Sequence, residues 1–262
     1  MKYLFIQILL LLCLVDSYSQ SSKIYFELDT IKRRSTIVFT NGKKMELENC
    51  YPSVSPDSEK VAVLFWARDY GRKNQMTIYD SIGSPGKTFT VEGLSYVALA
   101  NDYRFAIYGS HQTINIVKHD HICFFYDSSG IKQSLTFDSL GLAVKCKFSQ
   151  FGDFILVTSK SIQDDVKFDK FFIYFINSRF TIEKINEIDA HTKDKDIYNY
   201  IRQLKIDDGK KEVALDILSI QYGKKNKPRT IMSYKYNLQG DFISLKKTKI
   251  KGKWSKYPIE LQ

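Results

Sequence analysis

From Val54 onward the chain repeats one pattern of hydrophobic and polar positions: an apolar run, a turn holding Asp, a second run, a variable polar stretch, a third run, and a turn holding Asp or Asn. The first turns are Pro56-Asp57-Ser58, Asn101-Asp102, Gly152-Asp153 and Asp207-Asp208-Gly209, and each precedes an alternating, β-branched or aromatic run, as a hairpin requires. The second turns centre on Asp80, Asp127, Asn177 and Asn237, where Asp or Asn with glycine nearby supplies the positive backbone φ of a tight turn. Four units follow one another at a period of about 50 residues. Each predicts four short strands; in the second unit these are Tyr96 to Ala100, Arg104 to Gly109, Ile122 to Asp127 and Ser134 to Asp138. The apolar runs are strand-sized throughout, which makes the chain all-β.

Four strands per unit mean a radial sheet. SPDSEKVAV and YDSSG resemble the turn motifs of TolB-like and WD-type β-propellers, and the resemblance covers nearly all of the chain beyond its first twenty residues. The WD dipeptide is absent, and only the first repeat keeps the Ser-Pro-Asp form. The resemblance implies a ring of four-stranded blades. Ahead of the first complete unit, Lys23 to Asp29, Ser35 to Thr40 and Met45 to Glu48 read as three strands with Asn41-Gly42 as a hairpin turn, one strand short of a blade. The segment KYPIELQ, Lys256 to Gln262, resembles CYPSVSPD and could supply the missing strand. The expected fold is therefore a five-bladed propeller closed by pairing of the N- and C-terminal strands, since an open array would leave sheet edges exposed.

The first twenty residues stand apart. Lys2, the apolar run from Tyr3 to Val15 and the small polar cluster Ser17, Tyr18, Ser19 read as a secretory signal peptide cut after Ser19. The run is shorter than the roughly 20 residues of a spanning helix, so residues 20–262 are expected as a single domain without a transmembrane segment, periplasmic or extracellular. Cys50, Cys123 and Cys146 are an odd number without short spacing, which excludes a disulfide scaffold and gives no zinc pattern. They read first as buried small hydrophobes.

Lys and Arg number 39 against 29 Asp and Glu, a net charge of +10. Nearly all of the excess lies between Lys205 and Lys256, where fourteen basic residues face five acidic ones. The densest parts are KKNKPR, Lys224 to Arg229, read as a loop, and KKTKIKGKWSK, Lys246 to Lys256, where alternation would put several lysines on one strand face. Such a footprint attracts acidic partners or serves solubility and edge protection. Export makes nucleic acid an unsuitable partner and brings forward an envelope protein or an acidic polysaccharide.

Signals for catalysis are sparse. No glycine-rich phosphate loop, G-x-S-x-G elbow or HExxH occurs. His119 and His121 flank Asp120 just before a strand, where a period of two would place both imidazoles on one face, but two ligands do not make a metal site. No cofactor is expected. Asp57, Asp102, Asp153 and Asp208 recur in register, in turns where Asp has a structural job. A five-bladed glycoside hydrolase would need two or three carboxylates near the axis, for which Glu260, Asp164 and Asp169 are the candidates.

The stretches between second and third strands are longer and more varied than the turns, and binding residues concentrate on such loops. They hold Arg68, Tyr70, Arg72, His119, His121, Asp164, Tyr222, Lys224, Lys225 and Lys227, the candidate ligand-binding residues. Trp66, Tyr70 and Tyr222 are the aromatic platforms suited to a sugar or peptide. The sequence thus points to a non-catalytic propeller that binds a protein or polysaccharide through its loops, with a carbohydrate-active enzyme as the alternative.

Overall fold

A strand that is apolar on both of its faces needs a neighbouring layer on each side, and the computed structural model arranges the chain accordingly. It describes residues 23–29, 34–47, 50–65, 74–91, 94–111, 120–127, 130–136, 142–160, 170–190, 197–221 and 227–250. Among these residues nineteen strands form five antiparallel sheets in chain order. Sheet one has three strands, β1 (Tyr25–Asp29), β2 (Arg34–Val38) and β3 (Lys44–Leu47). Sheet two is β4 (Cys50–Val54), β5 (Lys60–Phe65), β6 (Asn74–Asp80) and β7 (Pro85–Val91). Sheet three is β8 (Leu94–Leu99), β9 (Phe105–His111), β10 (Asp120–Asp127) and β11 (Gly130–Thr136). Sheet four is β12 (Leu142–Phe148), β13 (Phe154–Lys160), β14 (Lys170–Ile176) and β15 (Ile182–Asp189). Sheet five is β16 (Ile197–Asp207), β17 (Glu212–Gln221), β18 (Lys227–Asn237) and β19 (Phe242–Lys249).

Within every sheet the strands pair with their chain neighbours, and the first strands β4, β8, β12 and β16 pack one against the next. This is the blade arrangement of a β-propeller. The period of two divides each sheet between two interfaces. On β13, Phe154 and Leu156 enter the core shared with sheet three, while Ile155 and Val157 enter the one shared with sheet five. On β5, Ala62 and Leu64 face sheet three, and Val61 and Val63 face sheet one. Fully burying each large side chain contributes roughly 1.5–3 kcal/mol, so the cores between sheets carry the fold. Aromatic pairs reinforce them, such as Phe105 stacked on Tyr126 with centroids 4.7 Å apart.

The hairpin turns follow a common chemistry. In sheets two, four and five, Asp80, Asn177 and Asn237 each offer a side-chain oxygen to the N–H four residues on, at 2.8, 3.1 and 2.7 Å. The last turn residue has positive φ: Gly83 at 77°, Phe180 at 61° and Gly240 at 86°. A one-residue register shift in the adjoining ladder accompanies each turn, as in a three-residue hairpin with a glycine-type bulge. Phe180 occupies a glycine's place because its ring lies 4.5 Å from that of Phe125 in sheet three, and this contact offsets the backbone strain.

Several expected boundaries shift. β11 begins at Gly130, not Ser134, because the Asp127 turn is tighter than the sequence suggests. β10 begins at Asp120, so His121 is a strand residue paired with Ser110. Lys227 and Arg229, expected in a loop, lie in β18, where Lys227 pairs with Gln221. In each case the antiparallel ladder continues into polar sequence, since backbone pairing does not depend on apolar side chains. The expected leader and the segment Lys256 to Gln262 lie outside the described residues.

Two glycines with the same backbone sign separate conformational from steric cost. Gly42 at φ 81° has nothing within 4 Å of a built Cβ, whereas at Gly240 the Cβ would lie 2.6 Å from the Phe175 ring. Gly42→Ala should cost about 1 kcal/mol from backbone strain alone. Gly240→Ala should cost about 2–4 kcal/mol because overpacking adds to it. Urea denaturation midpoints of the two variants check the difference.

Candidate functional site

Antiparallel meanders put alternate connections at opposite ends of the sheets. One end carries the short turns after the first and third strands of each blade; the other carries the strand ends that flank the long variable stretches. Hydrogen bonds link the described turns of neighbouring blades at the first of these ends. The Asp57 N–H donates to Asn101 Oδ1 (3.0 Å), the Asn101 amide donates to the Gln150 carbonyl (3.3 Å), and the Gln150 N–H donates to Asp208 Oδ1 (3.0 Å). The Ile24 N–H extends this belt to sheet one through the Ser58 carbonyl. A second series further out joins Thr40 to the Ser81 carbonyl, Arg104 to the Ser178 carbonyl, and Asn186 to the Gly240 carbonyl.

The four aspartates expected in register are not equivalent. The left-handed position of each first turn falls at Ser58, Tyr103, Gly152 and Lys211. Asp57 and Asp102 precede it by one residue, Asp153 follows it by one, and Asp208 precedes it by three. The turns differ in length, so aligning the Asp letters misplaces the backbone. Their work is structural nonetheless. Asp57 accepts from the Glu59 N–H and from Ser55 Oγ, Asp102 accepts from Arg104, and Asp208 holds Gln150. Burial pushes the Asp208 carboxyl above its ordinary value, against the lowering effect of the Gln150 N–H. Burial and the nearby Glu183 do the same to Asp153.

Tyr103 and Phe151 are exposed at this end, each beneath a lysine of a neighbouring blade: Lys60 lies 4.9 Å from the Tyr103 ring and Lys211 lies 5.9 Å from that of Phe151. Neither aromatic was among the expected platforms. An aromatic inside an Asp/Gly turn, as in Asn-Asp-Tyr and Gln-Phe-Gly, is the signal that marks such residues.

The expected ligand-binding residues Arg68, Tyr70, Arg72, His119, Asp164, Tyr222, Lys224 and Lys225 lie outside the described residues, as do Trp66, Asp169 and Glu260. His121 and Lys227 sit on β10 and β18 at the end of their blades opposite the short turns. Among the described residues no group of three His, Cys, Asp or Glu could hold a metal ion. Cys123 and Cys146 both lie in the core between sheets three and four, and burial raises the Cys50 thiol to about 11. Such thiols are poor nucleophiles.

Two basic regions are described. β19 is exposed at all eight residues, so both of its faces meet solvent; Lys247 and Lys249, two residues apart, share one of them and Lys246 lies on the other. Phe242, Ile243 and Leu245 stand beside them at 59%, 48% and 40% exposure. The other region joins the first strands of sheets four and five. Both strands carry a bulge, at Val144 on β12 and at Arg202 on β16. Lys145 is only 7% exposed and its ammonium donates to the Arg202 carbonyl at 3.3 Å. Arg202 in turn pairs with Asp216 at 3.3 Å.

No protein-family model matches the sequence, and no curated protein matches it. Solved structures match the chain at low identity. They include prolyl endopeptidases studied for inter-domain dynamics (12% identity, 87% of this chain and 36% of that one, TM-score 0.42). A Lactobacillus plantarum protein matches at 10% identity over 86% of this chain and 82% of its own, with a TM-score of 0.42. The periplasmic gluconolactonase of Pseudomonas aeruginosa matches at 7% identity over 89% and 94%, with a TM-score of 0.38. The chain spans 36% of the prolyl endopeptidase chain.

The belt yields a paired test. Asp208→Asn keeps the acceptor for Gln150 and removes a charge that burial disfavours, so stability at pH 7 should hold or rise. Asp208→Ala removes the acceptor and should cost about 1 kcal/mol. Because the native pKa is raised, the folded chain binds this proton more tightly than the unfolded one. The Asp208 contribution to stability therefore falls as pH rises from the unfolded value through the native one, and the slope should be absent from Asp208→Asn. Urea denaturation across an acidic pH series checks both points.

Proposed function

We propose that this chain is an exported, non-catalytic binding module: a five-bladed propeller that engages an acidic envelope protein or polysaccharide through its loop end and its basic last blade. The observation that carries the reading is β19, an outermost strand exposed along its whole length, with three lysines interleaved among Phe242, Ile243 and Leu245. Large apolar side chains held in water beside like charges favour contact with a partner that supplies apolar surface and negative charge. Lys224 and Lys225, just ahead of β18 in the sequence, and Lys227 and Arg229 within it add to the same sign. Asp57, Asp102 and Asp208 are committed to backbone N–H groups, which supports binding over hydrolysis.

In this reading the ring closes with Lys256 to Gln262 as the inner strand of sheet one. Sheet five bears apolar residues on the face turned from sheet four, where Leu218, Ile220, Ile231 and Ile250 form a further cluster, so it behaves as an interior blade. The connections that precede β8, β12 and β16 span 92–93, 137–141 and 190–196, and residues 250–255 would make a similar one. Export rests on the leader-like first nineteen residues.

Binding is tested by retention of the purified chain on an immobilised acidic polysaccharide and on an immobilised acidic protein, over a salt gradient. Retention on one of them should fall with salt, and the triple variant Lys246→Glu, Lys247→Glu, Lys249→Glu should elute earlier. Unchanged elution of the variant, or release of sugar from the matrix, would overturn the reading. Closure is tested separately: deleting Lys256 to Gln262 should lower the urea midpoint well beyond the effect of removing a solvent-exposed tail.

A further inference from the structure

An outermost strand turns alternate backbone N–H and C=O groups away from its sheet, and proteins blunt such edges by shortening them, by charge or by proline. The outermost strands of this chain do so unequally. β7 opens on Pro85. β15 alternates half-buried and exposed residues, and its Lys184 is drawn against sheet five by Asp241. β19 runs for eight residues, is exposed at each of them, and pairs with β18 alone among the described strands. At strand rise this is an open edge of about 27 Å.

The side chains divide that edge into two halves. Phe242, Ile243 and Leu245 occupy the first, all three largely in water. Lys246, Lys247 and Lys249 occupy the second and form no ion pair among the described residues. Lysine by itself is an ordinary guard for an edge, but guarding gives no reason to hold three large apolar side chains in the same row. The ladder with β18 fixes the faces: Leu245 lies opposite Tyr234 and Lys247 opposite Met232, on the side of the core between sheets four and five, while Lys246 lies opposite Ser233 on the other side. An incoming strand would thus meet cations on both of its faces. A polysaccharide offers neither N–H and C=O groups at strand spacing nor side chains to cover Ile243 and Leu245. A second copy of this strand would bring three more lysines and no carboxylate, since FISLKKTK contains none.

We propose that the open edge of β19 takes up an extended acidic segment of a partner protein as a fifth strand of the last blade. The proposal rests on the reading that the basic last blade binds an acidic partner, and it names that partner's chemistry and mode of attachment. Antiparallel addition places glutamate or aspartate opposite Lys249, Lys247 and Lys246, and β-branched residues opposite Leu245 and Ile243. The incoming segment therefore reads acidic first and apolar second. Main-chain hydrogen bonds supply affinity, and the cross-strand pairs set the register.

The test uses the purified chain and a fluorescent peptide of that pattern, eight residues long to match β19. Anisotropy reads affinity, and hydrogen exchange reads protection of the β19 amides. The peptide should bind and protect β19. N-methylation of alternate peptide amides should abolish binding for the set that faces β19 and spare it for the other set. The variant Lys246→Glu, Lys247→Glu, Lys249→Glu should weaken binding about tenfold and Leu245→Ser about threefold. All four positions are exposed, so these variants should fold. Equal effects of the two methylated sets, or equal binding of a scrambled peptide of the same composition, would overturn strand addition and leave the blade a surface selective for charge alone. Failure of the peptide with salt-sensitive retention on acidic polysaccharide would overturn it in favour of a sugar. Failure of both would overturn the wider reading as well. Self-association of the chain that Leu245→Ser abolishes would give the edge to a second copy and equally sink the proposal.

Discussion

Every described sheet between the first and the last is sandwiched, and the fold depends on the resulting demand that a strand present two different apolar faces. β14 shows the constraint most plainly. Phe172, Tyr174 and Ile176 pack toward sheet three, while Phe171, Ile173 and Phe175 pack toward sheet five, with no residue spared for water. A single-residue slip of this strand would exchange the two sets between cores of different shape. The continuous apolar run FFIYFI is therefore what a double-faced strand requires. Sheets with one wet face would alternate instead. The outermost strand β15, with its regular alternation of half-buried and exposed residues, marks where the sandwich ends.

Apolar packing between sheets is non-directional, so something else must set how each blade sits against the next. The hydrogen-bonded turns do this at one end. Asn101 uses both halves of its amide, accepting from Asp57 in sheet two and donating to Gln150 in sheet four, so that a single side chain fixes three blades in register. Phe39, Arg104 and Phe175 lie over Gly83, Gly152 and Gly240 of the following blade so closely that those turns admit no side chain there. The turn end is thus rigid by construction. Its exposed rings, Tyr103 and Phe151, are held by their own backbones and by lysines from the neighbouring blades.

Much of this was legible in the sequence because it follows from local rules. Strand number, the four-unit repeat and the three-stranded first sheet came from alternation and from Asp, Asn and Gly at turns. Boundaries were less so, since β10 and β18 continue through His121 and Lys227 on backbone pairing alone. The belt was hidden for another reason. Asn101 and Asp208 look like ordinary turn formers, and nothing in their local sequence says that one bonds across two interfaces and the other across one. The letters Asp57, Asp102, Asp153 and Asp208 line up in the sequence, yet turns of unequal length place them at different backbone positions.

The departures from alternation are where physical chemistry and pattern part company. A bulge inserts one residue that belongs to neither face, and the inserted residue on β16 is an arginine. An arginine at a position dictated by alternation would have to be either solvent-exposed or a gross error in the core. At a bulge it is neither, and Asp216 opposite Gln203 is in place to receive it. On β12 the bulge shifts Lys145 into line with Val157, a residue of the core between sheets four and five, and the Arg202 carbonyl accepts from its ammonium there. Retaining two buried or half-buried cations at adjacent first strands costs stability that hydrophobic residues of similar size would have supplied. A scaffold so thoroughly governed by apolar alternation bears that cost at this junction, in two blades at once.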